Sequence, residues 1–260
     1  MIGIFDSGVG GMTVARAVEQ LLPGYPLLYL GDIARTPYGP KSAQTIIDYS
    51  VENARFLVQN GAKVIVIACN SASSVATERL RQEFHMPIIE VITPAIEQAM
   101  ATSRSGRIGV IGTRATISSG VYEDKICQLA GDYKVFSTAC PLLVPLVEEG
   151  WINKRETKMI LRRYLHELKN QQIDTLILGC THYPLLKPLI QARIGRKVTL
   201  IDSSAATALF LKNSVEQDGT CRPLHDHQPE KNRFYVTDLT ATAGAIAAKI
   251  FGRPVELLPV

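Results

Sequence analysis

Short, unbroken apolar runs rich in β-branched residues alternate along this chain with longer stretches in which apolar residues recur every three or four positions. The runs are "IGIF" at 2–5, "LLYL" at 27–30, "KVIVIA" at 63–68, "PIIEVI" at 87–92, "RIGVIG" at 107–112, "KVFSTA" at 134–139, "TLILG" at 175–179 and "KVTLI" at 197–201. Between them lie "GMTVARAVEQLL", "SAQTIIDYSVENARFLVQN", "SVATERLRQEF" and "KRETKMILRRYLHELKN". An apolar run without alternation is a strand buried on both faces, and three-and-four spacing is an amphipathic helix. Strand, helix, strand in repetition predicts an α/β fold of mainly parallel sheets flanked by helices.

A weak internal echo divides the chain. Ile2-Gly3-Ile4-Phe5-Asp6-Ser7 is answered by Ile108-Gly109-Val110-Ile111-Gly112-Thr113, and a cysteine-ending strand follows each copy at a comparable distance. Two similar lobes account for this more simply than one continuous sheet. The first would take 1–93 plus 207–260 and the second 94–206, with Pro94 marking a break in chain direction. The tail after position 206, ending in "RFYVTD" and "ATAGAIAAKIFG", is too short for a third domain and is placed back on the first lobe.

Composition excludes several function classes. With 46% hydrophobic and 20% charged residues over 260 positions, the chain can bury a real core, and no apolar run reaches membrane-spanning length. The start "MIGIFDSGVGG" lacks the basic and apolar regions of a secretory signal, so a cytoplasmic location is expected. Net charge is +4, but the basic residues are interspersed with acidic ones and lack aromatic interleaving, which reads as solvated helix faces rather than a nucleic-acid footprint. The five cysteines are widely spread with no CxxC pair, so neither a disulfide framework nor a metal site is expected. His225 and His227 in "LHDHQ" fall in a charged loop and read as solvated. The "GVGG" spacing at 8–11 fails the dinucleotide pattern, and Gly8, Gly10 and Gly11 read instead as sites of close backbone approach.

Two cysteines stand apart from the rest. Cys69 ends "VIVIAC" and Cys180 ends "TLILGC", each followed at once by polar residues: Asn70, Ser71 and Ser73 in one case, Thr181 and His182 in the other. Ligands of open parallel sheets sit beyond the carboxyl ends of the strands, so facing lobes would set these thiols across one cleft. A helix N-terminus there would offer amides to an anion and lower a thiol pKa. Cys127, Cys140 and Cys221 have no such context and read as small buried hydrophobes.

The motifs "IGIFDSGVGG" at 2–11, "GDIARTPYG" at 31–39, "IACNSAS" at 67–73, "IGVIGTRATISSGVY" at 108–122, "ACPLLVPLVEEG" at 139–150 and "LGCTHYPLL" at 178–186 resemble, in order and over nearly the whole chain, the cofactor-independent aspartate/glutamate racemase family, and its bacterial glutamate racemases in particular. One departure is Ser71, where the family usually has threonine; the hydroxyl is kept and a methyl lost. The resemblance implies interconversion of L- and D-glutamate, supplying D-glutamate for peptidoglycan, by a homodimer that needs neither pyridoxal nor metal. It implies Cys69 and Cys180 as the two bases, Cys69 on the D-face and Cys180 on the L-face of the substrate. Asp6 would assist Cys69, while Glu148 and His182 would assist Cys180. Asp6, Ser7, Tyr38, Gly39, Asn70, Ser71, Thr181 and His182 would bind the substrate. On the bare sequence Asp6 also reads as a helix N-cap, and Glu148 is an ordinary charge beside Glu149. Two alternatives stay open: an aspartate or other amino-acid racemase of the same family, and a non-enzymatic amino-acid-binding or regulatory protein. The first would share both cysteines, whereas the second gains nothing from them.

Overall fold

A computed structural model describes residues 1–218 and 232–260, with the side chains of 216–218 also left aside; Cys221, His225 and His227 lie outside the described residues. The apolar runs form strands β1 (Ile2–Asp6), β2 (Leu27–Gly31), β3 (Val64–Ile67), β4 (Ile88–Glu90), β5 (Arg107–Gly112), β6 (Lys134–Ala139), β7 (Thr175–Gly179) and β8 (Thr199–Asp202), joined near the end by β9 (Arg233–Val236) and β10 (Leu257–Pro259). They assemble into two sheets rather than one. The first has the order β10-β9-β2-β1-β3-β4 and the second β6-β5-β7-β8. Every pairing in both is parallel.

The helices are α1 (Met12–Leu21), α2 (Ala43–Gln59), α3 (Asn70–Glu83), α4 (Ile92–Thr102), α5 (Arg114–Ser118), α6 (Val121–Leu129), α7 (Leu143–Glu148), α8 (Arg155–Asn170), α9 (Lys187–Ile194), α10 (Ser203–Asp218) and α11 (Ala241–Phe251). Because successive strand side chains point to opposite faces, each sheet carries two cores. In the first, Ile2, Ile4, Val64 and Val66 pack under α1, α10 and α11, while Phe5, Ile65 and Ile67 pack under α2 and α3. In the second, Leu176 and Leu178 face α8 and α9, while Ile108, Val110 and Ile177 face α4 and α6. Strands buried on both faces are why most of these runs show no polar alternation; β6 departs from that expectation, being the edge strand of the second sheet with every residue exposed or half-buried.

Two expectations are corrected here. Pro94 does not interrupt the chain: it is the third residue of α4, in the first turn, where a missing N–H breaks no intrahelical bond. Cys127 is exposed, not buried, since α6 turns Tyr122 and Ile126 inward and the next residue points about 100° away. Cys140 is buried as expected.

Candidate active site

Cys69 occupies the N-cap position of α3, just past the carboxyl end of β3. Beside it β1 ends in Asp6, a carboxyl group with no solvent exposure. Asp6 is not itself the N-cap of α1, which is Gly11, but its carboxyl group accepts from the Gly11 amide, from the Gly8 amide (3.0 Å) and from Thr181 Oγ1 (3.4 Å). Burial pushes the Asp6 carboxyl up, against the opposing charge of His182 and these hydrogen bonds. The Cys69 thiol donates to Ser7 Oγ at 3.4 Å. Burial, then the neighbouring Asp6 charge, push its pKa up to about 12. This reverses the expectation of a lowered thiol. An α3 amide, that of Ala72, does pull in the lowering direction, but it is outweighed by desolvation and by a carboxylate from another strand.

Cys180 follows β7 in the second sheet. The chain then turns through Thr181 and His182 into a short 3₁₀ segment, Tyr183–Leu186, so this thiol has no α-helix N-terminus directly behind it. Its neighbour His182 is buried, and Nε2 lies 3.1 Å from Oε1 of Glu148, the last residue of α7. Burial opposes protonation of this ring, yet hydrogen bonding and charge from Cys180 and Glu148 prevail and raise its pKa to about 10. The backbone at Gly10 runs against this ring: a Cβ there would sit 2.5 Å from His182 Nδ1 and from Thr181 Oγ1. Glycine is therefore what lets the two strand exits approach.

Both cysteines open on one cavity of about 330 Å³, counting its mouth. Of the residues singled out from sequence, Ser7, Tyr38, Gly39, Cys69, Asn70, Ser71, Cys180, Thr181 and His182 line it. Asp6 and Glu148 do not, but they bond to the lining residues Thr181 and His182. The Tyr38 hydroxyl is turned away, donating to buried Asp32 and accepting from Asn53 Nδ2 at 3.0 Å. Asn70 Oδ1 accepts from the Tyr122 hydroxyl at 2.8 Å. Its Nδ2 is buried and finds no acceptor among the described residues.

Sequence reasoning missed Thr36, Pro37, Thr113 and Val144, which complete the lining. Thr113 was within reach, since the internal echo aligns it with Ser7. Its Oγ1 lies 2.8 Å from Ser71 Oγ, a bond between the two sheets' strand exits. Among the described residues no group of three or more His, Cys, Asp or Glu could hold a metal ion, and no helix is long and apolar enough to cross a membrane.

Paired acid/base groups at the ends of two sheets, facing one small polar cavity, are the equipment of an enzyme that moves a proton on and off a substrate. The profile of the Asp/Glu/Hydantoin racemase family matches residues 12–211, and the chain belongs to that family. It is 46% identical to the glutamate racemase of Persephonella marina over 98% of this chain and 95% of that one. Among solved structures, it resembles glutamate racemase isoform RacE1 from Bacillus anthracis with a TM-score of 0.95 at 37% identity, covering 100% of this chain and 97% of the other. The glutamate racemase of Francisella tularensis, solved in complex with D-glutamate, aligns with a TM-score of 0.92 at 33% identity over 100% and 96% of the two chains.

Proposed function

We propose that this chain interconverts L- and D-glutamate, with Cys69 and Cys180 acting on opposite faces of the α-carbon. The observation that carries the reading is the delivery of one thiol from each sheet to a shared cavity, each backed by a different polar set. Starting from L-glutamate, Cys180 acts as thiolate beside the protonated His182 and takes the α-proton. Cys69, kept as a thiol by burial and by Asp6, gives its proton to the other face. The reverse reaction exchanges the roles, and no metal or cofactor takes part. Matching acid and base to the two faces in this way lowers the barrier to a carbanion-like state by general acid–base catalysis.

Glutamate as substrate is supported by the relatives' activity and by the D-glutamate in the Francisella protein. An uncommitted donor on a cavity-lining residue, Asn70 Nδ2, suits one of its carboxylates. Within the same reading, 1–93 plus 207–260 form one lobe and 94–206 the other. The enzyme works in the cytoplasm as a homodimer and supplies D-glutamate to peptidoglycan synthesis. Purified protein given D-glutamate without additives should abolish its circular dichroism signal, and D-aspartate should be turned over far more slowly. A shorter substrate leaves buried donors unpaired, at about 1–3 kcal/mol each. Comparable kcat/KM for the two amino acids would overturn the substrate assignment, and no change with either would overturn the reaction.

A further inference from the structure

The amide of Asn70 can point either end at the cavity, and only one end suits a carboxylate. Nδ2 donates and Oδ1 accepts, so the direction in which the side chain is turned decides whether it attracts or repels the substrate. A single bond sets that direction. Tyr122 is one of two inward residues of α6, which starts from Gly120 in the left-handed conformation (φ 70°). Its ring lies against the backbone at Gly179, where a Cβ would be 3.4 Å away, immediately before Cys180. Its hydroxyl reaches across to Asn70, immediately after Cys69.

A buried phenol must donate its proton somewhere, and among the described residues Asn70 Oδ1 is the acceptor it has. Burial, together with the charges of Glu90 and Cys180, holds this phenol well above its ordinary pKa, so it stays protonated and remains a donor. With Oδ1 engaged from behind, Nδ2 is the atom left over, buried and without an acceptor among the described residues. We propose that Tyr122 is a positioning residue: by holding the Asn70 carboxamide oxygen, it leaves the buried, unpartnered Nδ2 of this cavity-lining residue as the donor for a carboxylate group of the substrate. Tyr122 does not line the cavity, and its effect passes through Asn70. The inference rests on the glutamate-racemase reading and adds a determinant of carboxylate binding to it.

Removing the hydroxyl frees the amide to turn over. Tyr122→Phe should raise KM about tenfold for both enantiomers, with kcat within about threefold, because a bond made equally to substrate and transition state acts on KM. Asn70→Ala should do the same, and the double variant should be no worse than Asn70→Ala alone, since the two changes remove one interaction. The thermal midpoint of each variant separates this from a general loss of structure. Should Tyr122→Phe not fold, Asn70→Asp serves instead: it keeps an oxygen for Tyr122 and turns only the unpartnered donor into an acceptor, so KM must rise at least as far as in Asn70→Ala. A folded Tyr122→Phe with unchanged KM, a doubling of effects in the double variant, or Asn70→Asp with KM near that of the wild type would each overturn the proposal. A wild-type chain that leaves glutamate unchanged would instead overturn the underlying reading, and is seen before any variant is made.

Discussion

The two cysteine exits occupy the same place in their sheets and differ in what stands behind them. Cys69 is held in its protonated form by burial first and then by a buried carboxyl group beside it, Asp6. Cys180 has a buried imidazole tied to a carboxylate, and that ring keeps its proton to a pH of about 10. Identical side chains on similar frames thus meet opposite surroundings, a carboxyl group at Cys69 and an imidazolium at Cys180, which is what the proposed two-base reaction needs to draw an acid and a base from one residue type. The pair differs also in its backbone setting: Cys69 caps the fourteen-residue α3, whereas Cys180 leads into a 3₁₀ turn.

The largest effects should come from the thiols themselves. Cys69→Ser and Cys180→Ser should each lower racemisation by about 10³-fold, within the usual range for losing a general acid or base, with circular dichroism spectra and thermal midpoints preserved. Cys127→Ser, on the exposed face of α6, should leave turnover unchanged. Near-normal rates in either of the first two would dissolve the comparison, since one half of the site would then be dispensable.

Asp6→Asn and His182→Asn should cost less, about 10²-fold each, and they separate the halves. The steady-state ratio of kcat/KM for the two enantiomers cannot do so. Mirror-image molecules have equal free energies in water, so that ratio is fixed at unity for any variant at any pH. Isotope effects escape this constraint. With Asp6 changed, proton transfer at Cys69 becomes the slow step, and α-deuterated D-glutamate should show the larger primary effect on kcat/KM. With His182 changed, α-deuterated L-glutamate should show it. The same pattern from both variants would mean that the two backing groups do not belong to separate thiols.

Much of this arrangement could be read from the chain, and the parts that could not share a physical cause. Val64–Ile67 and Thr175–Gly179 were legible because a strand buried on both faces reads as a nearly continuous apolar run. The start of α3 at Asn70 was legible only as a strand-to-helix junction, since Asn70, Ser71 and Ser73 break the apolar period, which marks the helix itself only from Ser74 onward. The three residues of β10 are too few to show a pattern. Local features such as the helix amides behind Cys69 are visible in sequence, whereas the burial and the Asp6 charge that overrule them arrive from another strand. Tyr122 escaped notice for the same reason, its partner Asn70 being 52 residues away.

The last test of the comparison needs no substrate and reads stability against pH. His182 binds its proton to about pH 10 in the folded chain and to its ordinary value of 6.5 when unfolded. Below pH 6.5 both states hold the proton and the full stabilisation is present. Above it the unfolded chain releases the proton while the folded chain keeps it, so stability falls as pH rises, by up to about 1.4 kcal/mol per unit, until the folded group titrates near pH 10. Cys69 works in the same direction but later, because an unfolded thiol ionises only near its ordinary 9.0 while the folded one waits until about 12. The window from pH 6.5 to 9 therefore belongs mainly to the Cys180 side, and the range above it adds the Cys69 side. For a chain of this size the thermal midpoint should drop about 2–4 °C per pH unit in the lower window. His182→Asn should flatten that slope while leaving the decline above pH 9, and Cys69→Ser should do the reverse. If wild type and His182→Asn lose stability in parallel between pH 6.5 and 9, the imidazole is neutral at rest, and the cation that distinguishes one cysteine's surroundings from the other's is not there.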